Sequence, residues 1–104
     1  MGKIAPLTAQ EVASRLTALP GWTVTEGMLV KSFATDGWPY TMLLVGAIAC
    51  LAEAADHHPD LVVTWPRVTV KLVTHDAGGI SERDLALAAR IEATLQGRLV
   101  KPPA

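Results

Sequence analysis

Residues 61–73 read Leu-Val-Val-Thr-Trp-Pro-Arg-Val-Thr-Val-Lys-Leu-Val, and this stretch restricts the fold of the chain most. Leu61, Val63 and Trp65 alternate with Val62 and Thr64, and Val68, Val70 and Leu72 alternate with Thr69, Lys71 and Val73. A period of two marks a β-strand with two distinct faces. Pro66-Arg67 between the runs predicts the turn, because proline presets φ for a first corner. Pairing Trp65 with Val68 puts Leu61, Val63, Trp65, Val68, Val70 and Leu72 on one apolar face, which should lie against helices. Thr64, Thr69 and Lys71 mark the more open face. A slip of one residue would mix the faces, so the pattern specifies the register.

The remaining segments alternate between helix and hairpin signals. Thr8, with Glu11 three residues on, forms a capping box. Val12, Leu16 and Leu19 follow at helical spacing until Pro20-Gly21 stops the helix. Trp22–Thr25 and Met28–Phe33 are rich in β-formers, and Glu26-Gly27 between them predicts a tight hairpin. From about Trp38 to Asp56 a second helix is apolar nearly all round, through Met42, Leu43, Leu44, Val45, Ile48 and Leu51. It lacks the polar face of a surface helix and should be buried in the subunit or covered by another one. Gly78-Gly79 breaks the chain, and Ser81 opens a third helix with cap-like spacing to Asp84. Its stripe is Leu87, Ala88, Ile91 and Leu95, with Leu85 off it, and Gly97 ends it. The order αββαββα predicts an α+β fold, a four-stranded antiparallel sheet with helices packed on one face. The connecting helix leaves the order of the inner strands open.

A chain of 104 residues predicts a single domain spanning 1–104. Half the residues are hydrophobic and 18% are charged, which is a globular composition. Ten acidic residues face nine basic ones with no basic run among aromatics, which argues against direct nucleic-acid binding. The apolar run Met42–Ala52 falls short of the roughly 20 residues of a bilayer span. The N-terminus lacks an apolar stretch of signal-peptide length. The expectation is a cytoplasmic protein with no membrane partner. A lone Cys50 excludes an internal disulfide, and its apolar surroundings predict plain packing.

Chemistry concentrates in His57, His58 and His75. Extending the hairpin register sets His58 opposite His75, with Cβ atoms about 5 Å apart, unless Pro59, lacking an N–H, ends the pairing early. His57 adjoins them. Imidazole both donates and accepts protons near neutral pH, so a cluster on the open side of a sheet suits general acid–base work. A single histidine more often serves at the surface or as a cap; three at one locus shift the balance toward chemistry. Three histidines also suffice for a catalytic zinc. However, adjacent residues seldom aim both rings at one ion, and there is no i, i+4 pair or cysteine partner, so no metal is expected. Asp84 suits the start of the third helix and can also orient or charge-balance a histidine. Asp60 and Asp76 read as solvated loop residues. Trp22, Trp38 and Trp65 read as core or rim aromatics, any one of which could stack on a flat ring.

Glu53-Ala54-Ala55-Asp56-His57-His58-Pro59-Asp60, then Trp65, Thr74-His75 and Gly79-Ile80-Ser81-Glu82-Arg83-Asp84 resembles the signature of the pterin-4a-carbinolamine dehydratases. A weaker likeness at Gly21-Trp22 and Leu29–Phe33 extends it over most of the chain. The resemblance implies the αββαββα fold and a lyase, with no cofactor, that dehydrates 4a-hydroxytetrahydrobiopterin to quinonoid dihydrobiopterin in tetrahydrobiopterin recycling. It implies catalytic roles for His57, His58, His75 and Asp84. It also implies pterin contacts from Asp56, His57, His58, Val73, Thr74, His75 and Asp76. A homodimer or homotetramer, working beside an aromatic amino acid hydroxylase, follows from the same likeness. The reaction needs an acid for the departing hydroxyl and a base for a ring N–H proton. His57 and His75 are expected to move protons and His58 to hold the ring. Two departures stand out: Pro66 replaces a small polar residue, and Thr35 stands where a second aromatic is common. Some relatives are transcriptional dimerisation partners and others resemble RuBisCO assembly factors. A non-enzymatic dimerisation or assembly role is therefore the alternative, although assembly-type relatives tend to lack the histidine set retained here. Dehydratase-like work in molybdopterin metabolism is a third reading.

Overall fold

The computed structural model describes residues 4–102; the start of the N-terminal stretch, residues 1–3, and Pro103 of the proline tail lie outside it. The elements run α1 (Ala9–Leu16), β1 (Thr23–Thr25), β2 (Met28–Ala34), α2 (Trp38–Ala55), β3 (Asp60–Thr64), β4 (Arg67–Leu72), a 3₁₀ turn (His75–Ala77) and α3 (Glu82–Leu95). The sheet is antiparallel with strand order β1-β2-β4-β3, which settles β2 and β4 as the inner strands.

Local chemistry accounts for most of these boundaries. Thr8 and Glu11 form a reciprocal capping box at the start of α1. Glu26 and Gly27 both have positive φ (53° and 76°), as a two-residue primed hairpin turn demands. Gly21 has φ 87°, a left-handed conformation that favours glycine, and the Lys31 side chain lies over it. The Lys31 head crosses the edge of the core to reach Glu92 Oε2 at 2.8 Å, the same oxygen that accepts from Trp22 Nε1 at 2.9 Å.

Every second residue of the inner strands points into one core. Leu29, Val68, Val70 and Leu72 are fully buried and join Leu44 and Ile48 of α2 with Leu87, Ala88 and Ile91 of α3. At about 1.5–3 kcal/mol for each large aliphatic side chain removed from water, this layer dominates the stability of the domain.

The hairpin register differs from the sequence expectation. Thr64 pairs with Arg67 and Val63 with Val68, so Trp65-Pro66 forms the loop. Partners shift by two, which keeps the residues that remain in the strands on their expected faces. The physical reason is tertiary. Thr35 N–H donates to Pro66 O at 2.8 Å, and the Thr41 hydroxyl donates to Trp65 O at 2.6 Å. Arg67 meanwhile pairs with Ala34 of β2. These bonds override proline's preference for the first corner.

Four further expectations are corrected. β3 is an edge strand, so Val63 is 37% exposed and Trp65, in the loop, 66% exposed rather than packed on helices. Leu85, read as lying off the stripe of α3, is buried in the core. Cys50, read as packing, is exposed on α2. By length and composition α2 is long and apolar enough to cross a membrane, at 18 residues and a mean hydropathy of 1.4, unlike the shorter run read from sequence. One side of it, carrying Thr41, Leu44, Ile48 and Ala52, is committed to the domain interior.

Candidate active site

Two helix ends and one loop build the site. α2 ends at Asp56, which adopts the left-handed conformation (φ 49°) that aspartate tolerates better than most residues. The His57 N–H returns to Ala52 O at 3.1 Å. This reversal leaves His57 buried and His58 exposed. α3 begins at Ser81, whose hydroxyl accepts the Arg83 N–H at 3.2 Å, while the Asp84 carboxylate accepts the Ser81 N–H at 2.8 Å. The Arg83 guanidinium donates to Asp56 O at 2.6 Å and ties the two ends together. The loop after β4 closes on itself through the Thr74–Gly79 bridge and carries His75 in its 3₁₀ turn.

Asp84 is the centre of the arrangement. Its carboxylate is completely buried, and an uncompensated charge there would cost several kcal/mol. Three donors compensate it. His57 Nε2 meets Oδ1 at 2.5 Å, and the Thr74 hydroxyl and the Ser81 N–H donate to Oδ2 at 2.7 and 2.8 Å. Charge-assisted bonds of this kind are about twice as strong as neutral ones.

An open cavity of about 290 Å³ lies in front of this network, near the small end of the ~300–1,000 Å³ range of ligand pockets. Asp56, His57, His58, Val73, Thr74, His75, Asp76 and Arg83 line it. The three histidines therefore share one locus, although not as ladder partners. The strand pairing stops at Asp60–Lys71, and His58 and His75 both lie in loops. Asp84 stands behind His57 rather than at the cavity wall. His58 Nε2 meets Glu53 Oε1 at 2.7 Å, with both side chains well exposed. His75 is exposed in the 3₁₀ turn. Asp60 opens β3 and faces Lys71. Among the described residues no three His, Cys, Asp or Glu side chains group as a metal site.

Sequence reasoning missed Arg83 as a cavity residue and Ser81 as more than a cap. Both stand beside Asp84 in the quoted motif, which was the available signal. Trp22 is buried edge-on to Phe33, and Trp38 and Trp65 are exposed; none of the three lines the cavity. A larger concavity of about 660 Å³ lies between α1 and the β1–β2 hairpin, but the residues lining it carry no titratable side chain. The histidines and their acidic and basic neighbours line the smaller one.

The family described as Pterin 4 alpha carbinolamine dehydratase matches residues 5–94. An Aquifex aeolicus relative is 47% identical over 89 residues, covering 86% of this chain and 90% of its own length. A relative from Acidobacterium capsulatum is 41% identical over 92 residues, covering 88% of this chain and all of its own. Both carry the provisional name pterin-4-alpha-carbinolamine dehydratase. The crystal structure of a transcriptional coactivator/pterin dehydratase from Brucella melitensis superposes with a TM-score of 0.80 at 31% identity, covering 85% of this chain and 96% of that one. A pterin dehydratase-like protein identified as a RuBisCO assembly factor in the alpha-carboxysome gives 0.57 at 30% identity, covering 69% and 83%.

Proposed function

The chain belongs to the pterin-4a-carbinolamine dehydratase family, and on that premise we propose that it is a lyase that dehydrates a 4a-hydroxytetrahydropterin by histidine acid–base catalysis. The observation that carries this reading is the pairing of His57, held by buried Asp84, with exposed His75 in one open cavity.

Asp84 accepts from His57 Nε2, which puts the ring proton of neutral His57 on Nε2 and leaves Nδ1 as an acceptor. A base oriented by a third group follows the logic of hydrolase triads. His57 takes the ring N–H proton, and the freed electron pair forms the C=N bond of the quinonoid product. His75 gives its proton to the 4a-hydroxyl as the C–O bond breaks, and water leaves. One proton enters at His57 and one departs from His75, so the total charge of the enzyme is unchanged and proton exchange with solvent resets the two rings. His58, steadied by Glu53, holds the ring edge.

In this role the protein regenerates the pterin cofactor of an aromatic amino acid hydroxylase, in the cytoplasm, as a homo-oligomer and without a metal. The test is the rate of quinonoid dihydropterin formation, corrected for the spontaneous reaction. A rate above background that collapses in a folded His57→Ala/His75→Ala variant is expected. No excess rate on any 4a-hydroxypterin would favour the assembly-factor reading, which the likeness to the carboxysomal protein supports.

A further inference from the structure

Ser81 and Thr74 are both buried, at 0% and 3% exposure, and their hydroxyl oxygens are 2.6 Å apart. Counting protons fixes the direction of that contact. Thr74 has one hydroxyl proton, and it goes to Asp84 Oδ2 at 2.7 Å. Ser81 must then be the donor to Thr74, while its own oxygen accepts the Arg83 N–H. The chain runs one way, from the first turn of α3 through Ser81 and Thr74 to the carboxylate. Asp84 Oδ2 receives two donors and has no room for a proton, so Oδ1 is left facing His57.

Thr74 lines the cavity, but both of its protons, on the hydroxyl and the backbone N–H, are engaged within the protein, so it has no donor left for a ligand. Its N–H donates to Gly79 O at 3.1 Å, and its C=O accepts from Ala77 and Gly78 at 3.0 and 3.1 Å. We propose that Thr74 and Ser81 are positioning residues: a unidirectional hydroxyl relay that fixes the Asp84 carboxylate and, through it, the His57 tautomer. The proposal rests on the acid–base reading above. It replaces a pterin contact by the Thr74 side chain with a role one layer behind the ring.

The experiment compares wild type, Thr74→Ser, Thr74→Val and Ser81→Gly. Two quantities are read: the His57 tautomer, from long-range ¹H–¹⁵N correlations of the imidazole at mildly alkaline pH, and kcat and KM for dehydration of a 4a-hydroxytetrahydropterin. Thr74→Ser should keep the Nε2–H tautomer and a near wild-type kcat. Thr74→Val should mix the tautomers and lower kcat roughly 10–100-fold with little change in KM, the usual cost of a misplaced catalytic group. Ser81→Gly, a mild change at an N-cap, should move both readouts in the same direction by less.

A folded Thr74→Val with wild-type tautomer and kcat overturns the proposal. If that variant does not fold, an unchanged Ser81→Gly overturns it equally. A loss confined to KM would mean that Thr74 touches the substrate and would sink the relay. If the wild type shows no rate above the spontaneous one, the dehydratase reading fails, and the tautomer comparison alone still decides the relay.

Discussion

The His57 ring and the Asp84 carboxylate meet at 2.5 Å, His57 just past the end of α2 and Asp84 in the first turn of α3. The two residues are 27 apart in sequence. The same carboxylate also completes the capping box of α3. Helix start and histidine orientation are thus one structural feature, so a change at Asp84 acts on both.

Asp84→Asn separates the two roles. The amide oxygen keeps the bonds from Thr74 and Ser81, while the NH₂ group faces His57 Nε2 and forces its proton to Nδ1. The folded variant should lose about 10²–10⁴-fold in kcat, as expected for a wrongly tautomerised base. Steady-state dehydration kinetics with circular dichroism check this. A loss of only a few-fold would show that the tautomer does not limit the reaction.

His75→Ala and His57→Ala should differ in stability although both lose activity. His75 is exposed, so its removal should change unfolding free energy by no more than about 0.5 kcal/mol while lowering kcat about 10²–10⁴-fold. His57→Ala leaves a buried carboxylate oxygen without its donor and should cost about 1–3 kcal/mol. Urea denaturation of the two variants gives the comparison, and equal stabilities would contradict the burial argument.

Much of this site was legible in the sequence, for reasons that differ by residue. The alternation at 61–73 predicted the strand faces, and the His-His-Pro and Thr-His segments predicted a shared locus. The register was misplaced because the hydroxyl and amide that fix the Trp65-Pro66 loop come from Thr41 and Thr35, remote in sequence. Leu85 was misread because the stripe was drawn through Leu87, Ala88, Ile91 and Leu95 alone, whereas the buried arc of α3 is wider and takes in Asp84 and Leu85 as well. The Ser81 relay was invisible because a serine at an N-cap already has a sufficient local explanation.

The Glu53–His58 contact should contribute little to stability. Both side chains are largely in solvent, and exposed pairs are worth about 0–1 kcal/mol. Glu53→Ala should shift the unfolding free energy by less than about 0.5 kcal/mol and raise KM more than it lowers kcat, if His58 holds the ring. An effect on kcat alone would move His58 into the proton-transfer steps.

Glu11 gives a pH signature far from the cavity. The Thr8 backbone N–H, and then the Thr8 side chain, hold its carboxyl below the usual 4.5. Its contribution to folding is present above that value and is lost as pH falls through the depressed one. The melting-temperature difference between wild type and Glu11→Gln should therefore shrink between pH 6 and pH 3. A constant difference would exclude the carboxylate as its source.

The outer side of α2 carries Trp38, Tyr40, Met42 and Leu43, each about half exposed. An exposed apolar surface of this kind suits the homo-oligomer proposed above. Light scattering of the wild type should return a multiple of the 11.0 kDa chain mass, and Leu43→Glu should lower it. A monomeric wild type at micromolar concentration would remove the homo-oligomer from the proposed function.

The three indoles sit in three different surroundings, with optical consequences. Trp22 is shut in beside Phe33 and an acid that also receives a lysine, while Trp38 and Trp65 stand on α2 and at the hairpin tip. Emission from a single subunit is then a sum of one blue, quencher-resistant component and two red, quencher-sensitive ones, and assembly over α2 would move the Trp38 component toward the blue. A Trp38→Phe/Trp65→Phe protein would report, through a single dye-free fluorophore, on whether α1, the sheet and α3 come apart together.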